Sequence, residues 1–234
     1  MQVSPVRKEP TVLTYLALRK AVGAIALALP FALAIPWWLH AHQWQGSISL
    51  YYYTGMRNLF VGSLCGIAMF LFSCRGFDWR DELAGMVSAA SAIGVAFCPT
   101  TPADPALAPP IHDPVGSAHY VFAALLFATL AYFCLVLFRM TAAGKPLTRQ
   151  KLERNRVYTV CGVVIIASML AIGVSKLLGL EYSILGFGPV FCFETTSLLA
   201  FGVAWLVKGE TVLKDQVAPE ASAATAASMG FDAR

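Results

Sequence analysis

Six predominantly apolar stretches, at 21–39, 55–74, 83–98, 114–138, 157–178 and 189–207, limit what this chain can become. A helix needs about 20 such residues to cross roughly 30 Å of hydrocarbon, where its backbone must satisfy its own hydrogen bonds. The third stretch is the shortest and is bracketed by Asp78, Asp81 and Glu82 on one side and Pro99 on the other. Acidic residues suit the positive end of a helix, so this cluster reads as a cap in preference to a catalytic carboxylate group. Charged residues make up 13% of the 234 residues and hydrophobic ones 58%, against a usual charged share of roughly 25%. So few charges cannot cover a water-facing surface, which disfavours a soluble globule, a disordered chain and a nucleic-acid-binding domain together. The expected fold is all-α: a polytopic bundle of six transmembrane helices over 21–208, between an N-terminal segment (1–20) and an Ala- and Ser-rich tail (209–234) that reads as disordered.

The net charge of +4 is too small to call for a polyanionic partner, but its distribution orients the chain. With the N-terminus in the cytoplasm, fifteen of the seventeen Lys and Arg residues fall inside, and only Arg57 and Lys176 lie on or near the outer face. Basic residues are retained on the cytoplasmic side, so the expected topology is N-in and C-in. Trp37, Trp38 and Trp44, followed by Tyr51, Tyr52 and Tyr53, supply an aromatic belt at the outer interface. The basic loop between Arg139 and Arg156 would attract anionic lipid head groups or dock a cytoplasmic partner, and Arg154 and Arg156 stand where a lipid phosphate would lie.

The first stretch has a rival reading as a signal peptide, since Ala32-Leu33-Ala34 resembles a cleavage site. Its apolar run is long for that role and its basic flank is distant, so it reads as a retained span. Pro30 and Pro36 should kink it or end it early. Gly85, Ala89, Ala90, Ala92 and Gly94 give the third span a small-residue face for close helix approach. Six cysteines are scattered without CxxC spacing and read as small buried hydrophobes; Cys98 and Cys192 share the outer side, where a bridge would be permitted. No P-loop, GxSxG, HExxH or GxGxxG motif occurs.

Intramembrane polar groups are costly, so each needs a partner or a purpose. Asp113-Pro114 and Gly188-Pro189 each look like a helix start, and His119 and Glu194 each follow five residues beyond the proline, about 7–8 Å along the helix. Arg57 and Asn58 sit near the start of the second span. Arg57, Asn58, His119 and Glu194 are therefore expected in one layer, with Tyr53 beside it. Arg57 and Glu194 are a natural ion pair, and His119 would exchange a hydrogen bond with it. The layer is either a contact that holds helices together or a pocket open to the outer leaflet, with His119 or Glu194 available for proton transfer.

All four histidines lie toward the outer side. A metal site, zinc foremost, would draw on His112, His119 and Glu194, with Asp104 or Asp113 as a further ligand. His112 and His119 straddle Pro114, so helical periodicity does not put both on one face. A two-haem cytochrome is excluded by the lack of histidine near the cytoplasmic side. No cofactor is required by any motif.

The strings SISLYYYTGMRNLFVG, FLFSCRGFD, GVAFCPT, HYVFAALLFATLAYF, RNRVYTVCG and FETTSLLAFGVAWLVKG, spread over 47–209, resemble those of prokaryotic multi-span membrane families known only as domains of unknown function. That resemblance implies the bacterial inner membrane and no particular activity. The chain is more distantly similar to the alkaline ceramidase and progestin-and-adipoQ receptor superfamily, whose members use a three-histidine zinc site with an HxxxH pair in the last helix. This chain has no HxxxH and no histidine in its last span, so it departs from that superfamily at its metal ligands.

Three classes of function stay open. The first is a non-enzymatic membrane component or accessory subunit whose polar layer is internal glue. The second is a lipid-binding protein or lipid-directed enzyme with a pocket at the outer leaflet. The third is a small-solute or proton pathway, which the lack of charge in the inner half of each span disfavours. Membrane lipids and other membrane subunits are the expected partners, and nucleic acid is not.

Overall fold

The computed structural model describes residues 10–73, 78–102, 113–141, 148–179, 183–184 and 186–209. Among them are six long helices and no β-strand: α1 (Pro10–Ala41), α2 (Arg57–Ser73), α3 (Trp79–Phe97), α4 (Pro114–Leu135), α5 (Arg149–Leu177) and α6 (Pro189–Lys208). Two short 3₁₀ turns, Ser49–Tyr53 and Leu137–Arg139, precede α2 and extend α4. Among the described residues, four segments are long and apolar enough to cross a membrane: Leu16–Ala41, Pro114–Arg139, Arg149–Leu177 and Pro189–Lys208. The apolar α2 is shorter, at 17 residues. Residues 210–234 of the expected tail, and 74–77 where the second expected span passes into its connection to the third, lie outside the described residues.

The helix boundaries follow local chemistry. Asp78 caps α3 by accepting from the amides of Arg80 and Asp81, with Asp81 and Glu82 in the first turn. Asp113 caps α4 by accepting from Gly116 N–H at 2.7 Å, ahead of Pro114. The Gly116 amide and then the Thr101 hydroxyl hold the Asp113 carboxyl below its usual range. Thr148 caps α5, which starts eight residues before the expected span because its basic first two turns are also helical.

Two expectations about individual helices are corrected. Of the two outcomes expected of Pro30 and Pro36, a kink or an early end, the early end does not occur: α1 runs through both to Ala41. Each proline removes one donor, but most of the helix's hydrogen bonds survive and neighbouring helices hold it in place. The small face of α3 includes Gly85, Ala89, Ala92 and Gly94, all buried, whereas Ala90 is exposed on the opposite side.

Each helix packs against its neighbours in sequence, and α6 closes on α1, so the six form a ring. The closing contact is tight because glycines face each other. A Cβ on Gly23 would lie 3.0 Å from the Gly202 carbonyl, and one on Gly202 would lie 3.0 Å from the Gly23 carbonyl. Small residues at such a crossing let backbones approach where lipid gives no hydrophobic push. Successive helices alternate in direction, which leaves the bundle with two distinct ends. One gathers the α1–α2 connection, the end of α3 and the starts of α4 and α6. The other gathers the start of α5 and the ends of α4 and α6, with Arg19 of α1 and Asp81 of α3.

Candidate functional site

The site at the first end is built on the connection between α1 and α2. That connection passes over the start of α6: Phe191 N–H donates to Gly46 O at 3.1 Å, and a Cβ on Gly188 would lie 3.0 Å from that same carbonyl oxygen. Trp38, Trp44, Phe187 and Phe191 stack in series along this corner, with centroids 4.7–5.5 Å apart. The aromatic residues that read as an interfacial belt therefore also clamp a loop. The connection then enters a 3₁₀ turn that buries Ser49 and Tyr51.

His119, on α4, is 2% exposed and ties two connections together. Its Nδ1 lies 2.7 Å from the Cys98 carbonyl and its Nε2 lies 2.9 Å from Ser49 Oγ. A carbonyl can only accept, so Nδ1 carries the proton, and in the neutral ring Nε2 accepts from the serine hydroxyl. Glu194 Oε2 accepts from Ile48 N–H at 2.6 Å. The two intramembrane polar residues thus grip adjacent residues of one loop, Ile48 and Ser49, from α6 and α4. Tyr53 donates to the Thr100 carbonyl at 2.6 Å, linking the same turn to the end of α3. Burial, then the nearby Asp113 charge, raises the Tyr53 phenol above its ordinary range.

The expected layer is only partly assembled. His119 and Glu194 both line one cavity, whereas Arg57 and Asn58 are exposed and do not line it. Arg57 does not pair with Glu194. Its guanidinium donates to Tyr52 OH at 2.5 Å and stacks over the Tyr52 ring at 4.3 Å. The reason is position: Arg57 is the exposed first residue of α2, close enough to the surface to snorkel outward onto the half-buried Tyr52 without being desolvated itself. Glu194 accepts instead from the Ile48 backbone amide, which takes the donor role expected of Arg57.

Among the described residues, no three His, Cys, Asp or Glu side chains converge as a metal site. Both ring nitrogens of His119 are engaged by protein groups, and His112 and Asp104 lie outside the described residues. Cys98 and Cys192 are both free thiols, so the permitted bridge does not form; Cys192 Sγ faces the Ile184 carbonyl at 3.8 Å.

The cavity occupies about 910 Å³ between α4, α5 and α6. Its polar end is formed by Ser47, Ser49, Thr100, Thr101, His119, Tyr120, Lys176 and Glu194. The rest is apolar: Ala123, Ala124, Phe127, Ala128 and Ala131 from α4 face Ile165, Ile166, Met169, Leu170, Ile172 and Gly173 from α5. The cavity arises because α4 and α5 splay apart. At Gly162 a Cβ would overlap Leu135, but at Gly173, farther along α5, nothing lies within 4 Å. Several lining residues, including Ala124, Ala128, Ile166 and Leu170, are exposed, so the wedge opens sideways from the bundle. From Ile165 to Lys176 the groove runs about 17 Å.

Sequence reasoning placed His119 and Glu194 at matching depths but missed Ser49, Thr100, Thr101 and Lys176. Ser49 and the threonines sit in connections whose path no periodicity reveals, and Lys176 counted only as one of two basic residues on the outer side. Compared with protein-family models, curated proteins and solved structures, the chain matches none.

Proposed function

We propose that this chain is a bacterial inner-membrane protein of six spans, N-in and C-in, that binds a single-tailed or acyl-bearing amphiphile in the wedge between α4 and α5. The supporting observation is the cavity itself: one end carries hydroxyls, a carboxyl group and Lys176, and the remainder is an apolar groove open to the side. Its length of about 17 Å is close to the roughly 15 Å depth of one leaflet's hydrocarbon. An acyl chain that moves from bilayer to groove exchanges one apolar medium for another and gains little. Affinity and selectivity therefore reside at the polar end, and the groove contributes shape.

His119 is a positioning residue in this reading. It holds Ser49 and the α3–α4 connection in place, and its nitrogens are occupied by that task. Glu194 and Lys176 face the headgroup position, with Lys176 the charge that acts on Glu194. The arrangement favours binding over catalysis, which unites the membrane-component and lipid-binding classes. The fifteen-to-two distribution of Lys and Arg supports placing the pocket at the outer leaflet.

The test is extraction into a mild neutral detergent followed by mass spectrometry of bound lipids, wild type beside Ala128→Trp, whose indole would fill the groove. Wild type should retain one amphiphile per chain in excess of bulk lipid, and Ala128→Trp should lose it. Identical lipid profiles in the two proteins would overturn the proposal.

A further inference from the structure

The opposite end of the bundle presents a different surface. Lys208, the last residue of α6, and Lys151, in the first turn of α5, both direct their ammonium groups at one carbonyl, that of Phe138. Lys151 Nζ lies 3.0 Å from Phe138 O and 3.1 Å from Met140 O, and Lys208 Nζ lies 3.5 Å from Phe138 O. Lys208 also rests over the Phe138 ring at 5.4 Å. Two ammonium groups are thus held side by side on an aromatic floor. The charges of Arg19 of α1 and Arg154 of α5 act on Lys208 as well, and the Asp81 carboxylate of α3 opposes them. All five side chains are half-buried.

Like charges do not gather in a partly buried niche without a reason. Attraction to cytoplasmic head groups accounts for basic residues scattered around a bundle end. It does not account for two lysines from different helices sharing one acceptor, with Arg19 and Arg154 near enough for their charges to act on Lys208. Guanidinium and ammonium groups in this number suit an oxyanion with several acceptor oxygens, which can take a separate hydrogen bond from each.

We infer that the niche formed by Lys208, Lys151, Arg154 and Arg19 binds a phosphate group, carried by an anionic lipid or free in solution. The site is independent of the amphiphile pocket, because it lies at the other end of the helices and shares no residue with it. Such basic pockets between membrane helices are a recognised form of head-group site. The ring closure brings it about: α6 reaches α1 through the Gly23–Gly202 crossing, and this places Lys208 beside Arg19.

The experiment uses the full chain in a neutral, phosphate-free detergent at fixed ionic strength. Thermal unfolding is followed while phosphatidylglycerol is added to the micelles, or inorganic phosphate to the buffer, with phosphatidylcholine as the uncharged comparison. A saturable rise in Tm with phosphatidylglycerol alone identifies a lipid phosphate; a rise with both identifies phosphate as sufficient. Lys208→Gln should weaken the effect about five- to tenfold, whereas Lys20→Gln, which removes an exposed lysine at the same end, should leave it intact. No saturable rise from either additive, or an equal rise in Lys208→Gln, overturns the inference. Should Lys208→Gln fail to fold, native mass spectrometry of wild type decides: preferential retention of phosphatidylglycerol over phosphatidylcholine supports the site, and equal retention refutes it.

Discussion

The two ends of this bundle solve opposite problems with similar residue types. At the His119 end, α4 and α5 splay, and hydrogen bonds that His119 and Glu194 accept from Ser49 and Ile48 hold a loop over the resulting gap. At the Lys208 end the helices close, and Trp205 packs against Phe133, Phe138 and Phe201 with centroids 4.9–5.8 Å apart. One end is open, polar and roofed by a connection; the other is dry within and cationic at its rim. Stability should therefore reside mainly in the aromatic end and selectivity in the open one.

The largest expected effect follows from that division. Trp205→Ala removes a ring that is 1% exposed and in contact with three others. It should cost about 3–5 kcal/mol, measured as the largest fall in detergent Tm of any single substitution considered. The amphiphile profile of whatever protein folds should stay unchanged. A loss of bound amphiphile at unchanged stability would contradict the division.

His119→Ala comes next. It leaves the Cys98 carbonyl and the Ser49 hydroxyl without their partner, at roughly 1–3 kcal/mol for each buried group. The loosening should be local, so the Cys98 thiol should react faster with a small alkylating reagent than in wild type, while the reaction of Cys134, in the closed half, should not change. Equal acceleration at both cysteines would mean that the ends unfold together.

Glu194→Gln should do less, because an amide oxygen can still accept from Ile48 N–H; a Tm shift of about 1 kcal/mol equivalent or smaller is expected. Glu194→Leu, which removes the acceptor, should be clearly worse. Equal losses would mean that the carboxyl group is needed for something other than this hydrogen bond.

The smallest effect is a pH dependence at the open end. The fold lowers the Asp113 carboxyl below its ordinary range, so it favours the folded state at neutral pH. That contribution fades as acid protonates the group, from the ordinary carboxylate range down through its folded value. The fall in Tm below about pH 4 should be shallower in Asp113→Asn, which keeps a capping oxygen but does not titrate there. Parallel acid profiles would remove Asp113 from the account.

The helices themselves were legible because each is specified locally. Apolar runs of spanning length, Asp78 and Asp113 as caps, and Pro114 and Pro189 as first residues all act within a few positions of the feature they create. Helix lengths were less so: α5 continues through Arg149–Arg156 because a basic, polar sequence can be helical outside the hydrocarbon, and hydropathy does not register it. His119 and Glu194 were found because intramembrane polarity is rare, and their matching offsets from two helix-starting prolines put them at one level.

Their partners were not legible for a different reason. Charge complementarity alone pairs Arg57 with Glu194, but a chain chooses partners by reach and desolvation, and Tyr52 is nearer and costs Arg57 less. Composition and the order of apolar and basic segments were enough to dictate an all-helical chain with spans of membrane length, since that choice depends on the solvent that each segment can tolerate. The wedge between α4 and α5, the loop roof at Ile48 and Ser49, and the meeting of Lys208 with Lys151 depend on the angles at which helices cross. Those angles are set where Gly162 meets Leu135 and Gly23 meets Gly202, contacts between residues that are distant in the chain and meet only once the ring has closed.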